Sequence, residues 1–145
     1  MSTRLIPLSL ILSIALLAGC ASVPMAPPDA DTSAKSFQTD PAMANIYVYR
    51  NESLGAAVKM PVLIDNVWVA DTAADTYIFK KVGPGRHVIT SKTENDSTVT
   101  IEAQAGNNYF VWQEVKMGMF AARSELHVVD DAKGREGVME CKLVQ

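Results

Sequence analysis

The clearest pattern in the chain is the alternation Ser97-Thr98-Val99-Thr100-Ile101-Glu102-Ala103. On an extended backbone Val99, Ile101 and Ala103 face one way and Thr98, Thr100 and Glu102 the other, which predicts a strand with one face on a core and one in water. Upstream, Asn45 to Arg50 is rich in aromatic and β-branched residues and precedes a polar loop around Asn51 to Gly55, as a first strand would. The apolar runs Val58 to Ile64 and Val67 to Ala70 flank Asp65-Asn66, residue types that tolerate the positive φ of a tight hairpin turn. Thr76 to Val82 reads as a strand stopped by Gly83-Pro84-Gly85, and His87 to Thr93 as the next, ending at the turn Asn95-Asp96. Ala105-Gly106-Asn107 leads into Tyr109 to Val115, and after a break near Gly118 the run Ala121 to Val129 supplies a last long strand. About seven strands with turn signals between them predict an all-β antiparallel sandwich over residues 44–145, with Phe120 and Asn95 at opposite ends.

The tail from Asp130 is less regular. Asp130-Asp131 suit the N-terminus of a short helix, whose free amides a carboxylate accepts, but Gly134 and Gly137 weaken propagation. A short helical or irregular tail is expected, with Val138, Cys141 and Leu143 touching the sheet. Before residue 44 the periodicity disappears. Residues 20–43 are dominated by Ala, Pro, Ser, Thr and Asp, with Pro24, Pro27, Pro28 and Pro41 among them, and read as a flexible tether. As a flexible coil it would hold the domain on the order of 25 Å from its point of attachment.

Residues 1–19 carry one basic side chain, Arg4, and an uncharged apolar run from Leu5 to Ala18, the layout of a signal peptide. The run falls short of the roughly 20 residues of a spanning helix. It closes in Leu17-Ala18-Gly19-Cys20, which resembles a bacterial lipobox. The resemblance implies recognition of Leu17, Ala18 and Gly19 by a signal peptidase, a diacylglycerol and an N-acyl chain on Cys20, and a mature protein that begins there. Ala21, where an aspartate would favour inner-membrane retention, implies the outer membrane, with the periplasmic face expected.

Loss of Arg4 leaves 12 Lys and Arg against 16 Asp and Glu, a net charge of −4. Scattered bases on an acidic chain lack the clustered charge that displaces counterions from phosphate backbones, so nucleic acid is not an expected partner. With Cys20 acylated, Cys141 is the single remaining thiol, which excludes a disulfide within the chain and suits a buried hydrophobe.

Three segments in order, Val62-Leu63-Ile64-Asp65-Asn66-Val67-Trp68-Val69-Ala70, Val82-Gly83-Pro84-Gly85-Arg86-His87-Val88-Ile89 and Ala105-Gly106-Asn107-Asn108-Tyr109-Phe110-Val111, resemble PEGA-like domains. With the lipobox and the Val48-Tyr49-Arg50 strand, the chain is similar to an uncharacterised family of bacterial lipoproteins described as a domain of unknown function. The resemblance spans about Ile46 to Val129 and implies a prealbumin-like sandwich. It carries over no catalytic residue.

The residues themselves point away from catalysis. His87 and His127 stand on separate strands without metal-ligand spacing, and His87 is expected to hydrogen-bond its own turn. Asp71 and Asp75, and the pair Asp130-Asp131, suit loops and caps better than the six to eight oxygens of calcium. No nucleophile elbow or phosphate-cradling glycine loop is present. No metal or dissociable cofactor is expected. Arg50, Arg86 and Arg123 are expected to pair with carboxylates. The candidate partner surface is Met117-Gly118-Met119-Phe120 with Trp112, since exposed Met and aromatic side chains make adaptable contacts; the alternative, which apolar character favours, is that these side chains fill the end of the sandwich core. The leading expectation is a non-enzymatic lipoprotein that binds another envelope component; the alternative is a glycan or small-molecule binder using Trp68, Tyr77 and Trp112.

Overall fold

The computed structural model describes residues 20–145, so Leu17, Ala18 and Gly19 lie outside the described residues. The elements are α1 (Pro28–Ala34), β1 (Ala44–Arg50), β2 (Met60–Ile64), β3 (Val67–Thr72), β4 (Thr76–Val82), β5 (Gly85–Lys92), β6 (Asp96–Ala103), β7 (Asn108–Met117), β8 (Ala122–Val129), α2 (Asp131–Met139) and β9 (Lys142–Leu143). Two sheets form the sandwich, one in the order β8-β7-β1-β4-β9 and the other β3-β2-β5-β6.

All seven residues of β1 are buried. It is the middle strand of its sheet, and its two faces supply two cores. Ile46 and Val48 point between the sheets, where they meet Val62, Ile78, Ile89 and Val111. Tyr47 and Tyr49 point outward into a second cluster with Tyr77, Phe110, Phe37 and Val138 beneath the helices. A strand buried on both faces reads as a continuous apolar run, which is why β1 lacks the alternation of β6.

The mainly β sandwich is as expected; the difference is that one sheet is mixed rather than wholly antiparallel. β1 runs parallel to β7 and β4 parallel to β9. Local hydrophobic patterns specify a strand but not its neighbour; the chain between β1 and β7 carries five further strands, ample for the long crossover a parallel pair requires. Among the described residues nine strands stand in place of about seven, the short β9 being one that no run in the sequence marks.

The flexible tether is also corrected. Residues 23–43 pack on the sandwich: Val23, Ala34 and Phe37 are buried, and Phe37 lies with its ring centroid 5.4 Å from Tyr47 and 5.8 Å from Phe110. Backbone bonds from Ala26 N–H to Leu143 O (3.0 Å) and from Gln145 N–H to Pro24 O (2.9 Å) tie the segment to the C-terminus. Pro28 begins α1, where its missing N–H costs nothing. The segment has too few apolar residues to fold alone, yet the outward aromatic face of β1, β4 and β7 offers it a surface to bury them against.

The tail forms α2, with Asp130 capping it by accepting from Lys133 N–H at 2.9 Å. Val138, Cys141 and Leu143 are buried on the sheet, as expected.

Candidate functional site

Because β1 and β7 are parallel, their C-termini, Arg50 and Met117, emerge at one end of the sandwich. The β5–β6 turn and Ala21 reach the same end. Ala21 N–H donates to Ala56 O at 2.8 Å, which places the exposed Cys20 beside the loop after β1.

That loop is held from below. Arg50 is fully buried and donates from Nη1 to Val58 O (2.8 Å) and from Nη2 to Gly55 O (2.6 Å) and Leu54 O (3.3 Å). Burial lowers the guanidinium pKa, partly offset by the charges of Glu52 and Asp75. The expectation of a carboxylate partner for Arg50 is corrected, since its partners are backbone carbonyls. Glu52 in turn accepts from Val115 N–H at 2.9 Å, fastening the loop to β7. Gly55 adopts φ +68°, and an added Cβ would stand 3.1 Å from Val115 Cγ1.

The β7–β8 tip is built by Glu94. Its carboxylate accepts from the amides of Met119 (3.3 Å), Phe120 (3.2 Å) and Ala121 (3.0 Å), and these bonds hold its pKa below the ordinary range. A Cβ on Gly118 would fall 1.8 Å from Ala121 O, so only glycine fits there. Outside this frame Met117, Met119 and Phe120 are 81 %, 81 % and 90 % exposed, and Leu54 is 49 % exposed. Leu54, Gly55 and the tip line one shallow groove of about 220 Å³. Asn95 lies at this same end, its side-chain oxygen accepting from Ser124 N–H at 3.3 Å, so the expected opposition of Asn95 and Phe120 is corrected. Hairpin tips meet only through the pairing of the two sheets' edges, which no local pattern records.

Trp112 does not join this surface. It lies on the outward face of β7, stacked on His127 (centroids 5.2 Å) with Lys133 Nζ 5.0 Å above its ring. Its separation from Met117 follows from strand parity, five residues being an odd number of steps. The aromatic trio of the glycan-binding alternative is dispersed too: Tyr77 is buried and donates to Asp31 at 2.9 Å, while Trp68 lies exposed on β3 and donates to Asp71 at 2.9 Å.

Ligand atoms of Glu114, Glu125 and His127 lie within 4.8 Å of one another. Lys116 Nζ stands 2.8 Å from Glu114 and 3.5 Å from Glu125, and His127 Nε2 is 2.8 Å from Glu114. The ammonium takes the position of positive charge between the two carboxylates, and the group is an ion-paired surface patch.

At the far end, Asp65 (φ 53°) and Asn66 (φ 64°) form the tight hairpin turn. His87 bonds through Nε2 to Gly83 O (2.8 Å) and through Nδ1 to Asp65 (2.6 Å), and Asp65 also accepts from Val88 N–H (2.9 Å). The bond to its own turn was expected; the clasp to the hairpin was not, although both motifs were visible. With acceptors at both ring nitrogens, the imidazolium satisfies the site best. Burial pulls the His87 pKa down, but the bonds to Asp65 and Gly83 outweigh it and leave it raised, while the His87 bond lowers that of Asp65. Stability from a raised pKa is complete below the unfolded value of about 6.5 and is lost as pH climbs through the folded value; stability from the lowered carboxylate is lost as pH falls below about 3.9. The clasp therefore contributes fully between these limits. Thermal unfolding followed across pH should show a decline above about 6.5 that Asp65→Asn flattens; an unchanged alkaline slope in that variant would refute a charged His87.

Residues 41–125 match the model of a family described as "Protein of unknown function (DUF2846)". An uncharacterised protein of Haemophilus influenzae is 30% identical over 130 residues, covering 88% of this chain and 77% of that protein. No solved structure matches. The matched family region takes in both the loop after β1 and the Met117-to-Phe120 tip.

Proposed function

Since the chain belongs to the DUF2846 family, whose description states no activity, we propose its role from its own surface: a non-enzymatic lipoprotein of the outer membrane, facing the periplasm. Acyl chains on Cys20 anchor it, and the apolar end of its PEGA-like sandwich binds another component of the cell envelope. One observation carries this reading. The largest exposed apolar side chains at the loops, Met117, Met119 and Phe120, sit on a tip braced by Glu94 and a loop braced by Arg50, at the end where Cys20 emerges. Exposed apolar clusters rimmed by polar residues mark interaction sites. The lipobox supports the anchor, and the interlock of the Asp65 hairpin with the His87 corner supports the PEGA-like resemblance.

Non-enzymatic is the reading that suits the polar groups. Both nitrogens of His87 are engaged, Asp71 is bonded to Trp68, and burial raises the Cys141 thiol to about 12, far from a nucleophile's range.

Cys20→Ser is expected to remove the acyl mass from the mature protein and move it from the membrane to the soluble fraction, because each buried methylene contributes about 0.8 kcal/mol to anchoring. Fractionation and intact mass of both forms check this; a substituted protein that stays in the membrane would overturn the anchor. For the binding end, a photo-crosslinker replacing Phe120 in intact cells should give an adduct absent from Asn66, at the opposite end. Equal labelling from the two positions would refute an interaction surface at the tip.

A further inference from the structure

We infer that the envelope component met by this end is the bilayer itself: Leu54, Met117, Met119 and Phe120 rest in the headgroup–acyl boundary beside the acylated Cys20. This rests on the reading of Cys20 as the lipid anchor and names the occupant of the same apolar end.

The first support is distance along the chain. Ala21 is bonded to Ala56, one residue from Gly55, and Gly55 and Leu54 share a groove with Met117 and Phe120. Only the Cys20–Ala21 link, about 3.8 Å between Cα atoms, separates the lipid from this docked segment. Residues 23–43, which as a coil would have carried the domain away from the membrane, are packed on the sandwich. Acyl chains leaving Cys20 therefore enter the bilayer next to the loop and the tip.

The second support is the chemistry of the tip. Leu, Met and Phe on a short hairpin are side chains that partition into the acyl boundary. A backbone entering that layer loses water as a hydrogen-bonding partner, so its polar groups must be satisfied internally. Three consecutive amides at the tip, those of Met119, Phe120 and Ala121, are already bonded to Glu94. Arg123 is exposed and outside every ion pair among the described residues; its Cγ lies close to Gly118 and its charge acts on the Glu94 carboxylate, at the base of the apolar tip, where lipid phosphates would meet it. The opposite end, with its Asp65–His87 clasp, is left to the periplasm.

The test uses the full acylated protein in vesicles of phosphatidylethanolamine and phosphatidylglycerol. Phe120→Cys and, separately, Asn66→Cys carry an environment-sensitive fluorophore; Cys141 is buried and stays unlabelled. Emission from position 120 is expected to shift to the blue and to be quenched by spin-labelled lipid, with position 66 unchanged; Met117→Cys should repeat the result at a second tip site. With the acyl mass present on Cys20, a tip label as water-exposed as that at 66 would overturn the docking while leaving the anchor intact. A shift without lipid quenching that disappears on dilution would assign the surface to a second copy of the chain and overturn it equally. Absence of the acyl mass would overturn both readings.

Discussion

Gly137→Ala is expected to destabilise the protein by about 3 kcal/mol, lowering the unfolding midpoint by roughly 10 °C, although in an isolated helix the same change would stabilise by about 1 kcal/mol. The tertiary contact reverses the sign. An added Cβ at Gly137 would stand 2.1 Å from Cε2 of Tyr49, and one at Gly134 would stand 2.1 Å from Cγ of Phe110. Both rings are fully buried in the aromatic cluster under α2, and a packed interior yields by moving whole elements rather than by compressing. The two glycines are three residues apart on one face of α2, so they form the flat stripe that lets the helix lie directly on β1 and β7. Gly134→Ala should behave alike. Thermal and urea unfolding decide the matter: a midpoint at or above that of the parent would show that helix propensity governs these positions.

The second large effect is expected at Arg50. Arg50→Met should cost about 2 to 4 kcal/mol, because it leaves the carbonyls of Leu54, Gly55 and Val58 without their shared donor. Two contributions oppose each other. Removing a buried guanidinium with no carboxylate in contact relieves its desolvation, and a hydrophobic replacement for a buried charge is sometimes neutral. Three carbonyl bonds at one end of the core outweigh that relief, since the loop from 51 to 59 has few apolar contacts of its own. Arg50→Lys should lose less in total but still loosen the loop, as a single ammonium lacks the fork that spans Gly55 O and Val58 O. Urea unfolding gives the energy, and faster hydrogen exchange at the amides of Ala56 and Val58 localises it. Unchanged exchange there, with stability within about 0.5 kcal/mol of the parent, would refute the bracing role.

These two sites show where the sequence is legible and where it is not. Gly134 and Gly137 read as helix weakeners, because the propensity of a residue is visible in its own name while the rings pressed against them, Phe110 and Tyr49, are contributed by strands elsewhere in the chain. Arg50 read as a base paired with a carboxylate for the same reason; its partners are carbonyls, which every residue possesses and no sequence pattern marks. Composition does not distinguish an exposed Met117, Met119 and Phe120 from side chains filling the end of the core; their exposure and their grouping with Leu54 and Cys20 follow from the fold, which brings the β7–β8 tip beside the loop after β1.

By itself the sequence determined what depends on near neighbours in the chain. Runs of aromatic and β-branched residues, alternating most clearly in β6, identified the strands, Asp65-Asn66 and Gly83-Pro84 placed the turns, Asp130 capped α2, and the succession of strands and turns implied the β-sandwich class. Only the tertiary structure decided which strands pair in parallel, that residues 23–43 fold onto the aromatic face, and which loops share an end. The physical reason is range: backbone propensity and turn chemistry act over a few residues, whereas burial of apolar surface joins whatever faces the fold brings together, however far apart they lie in the chain.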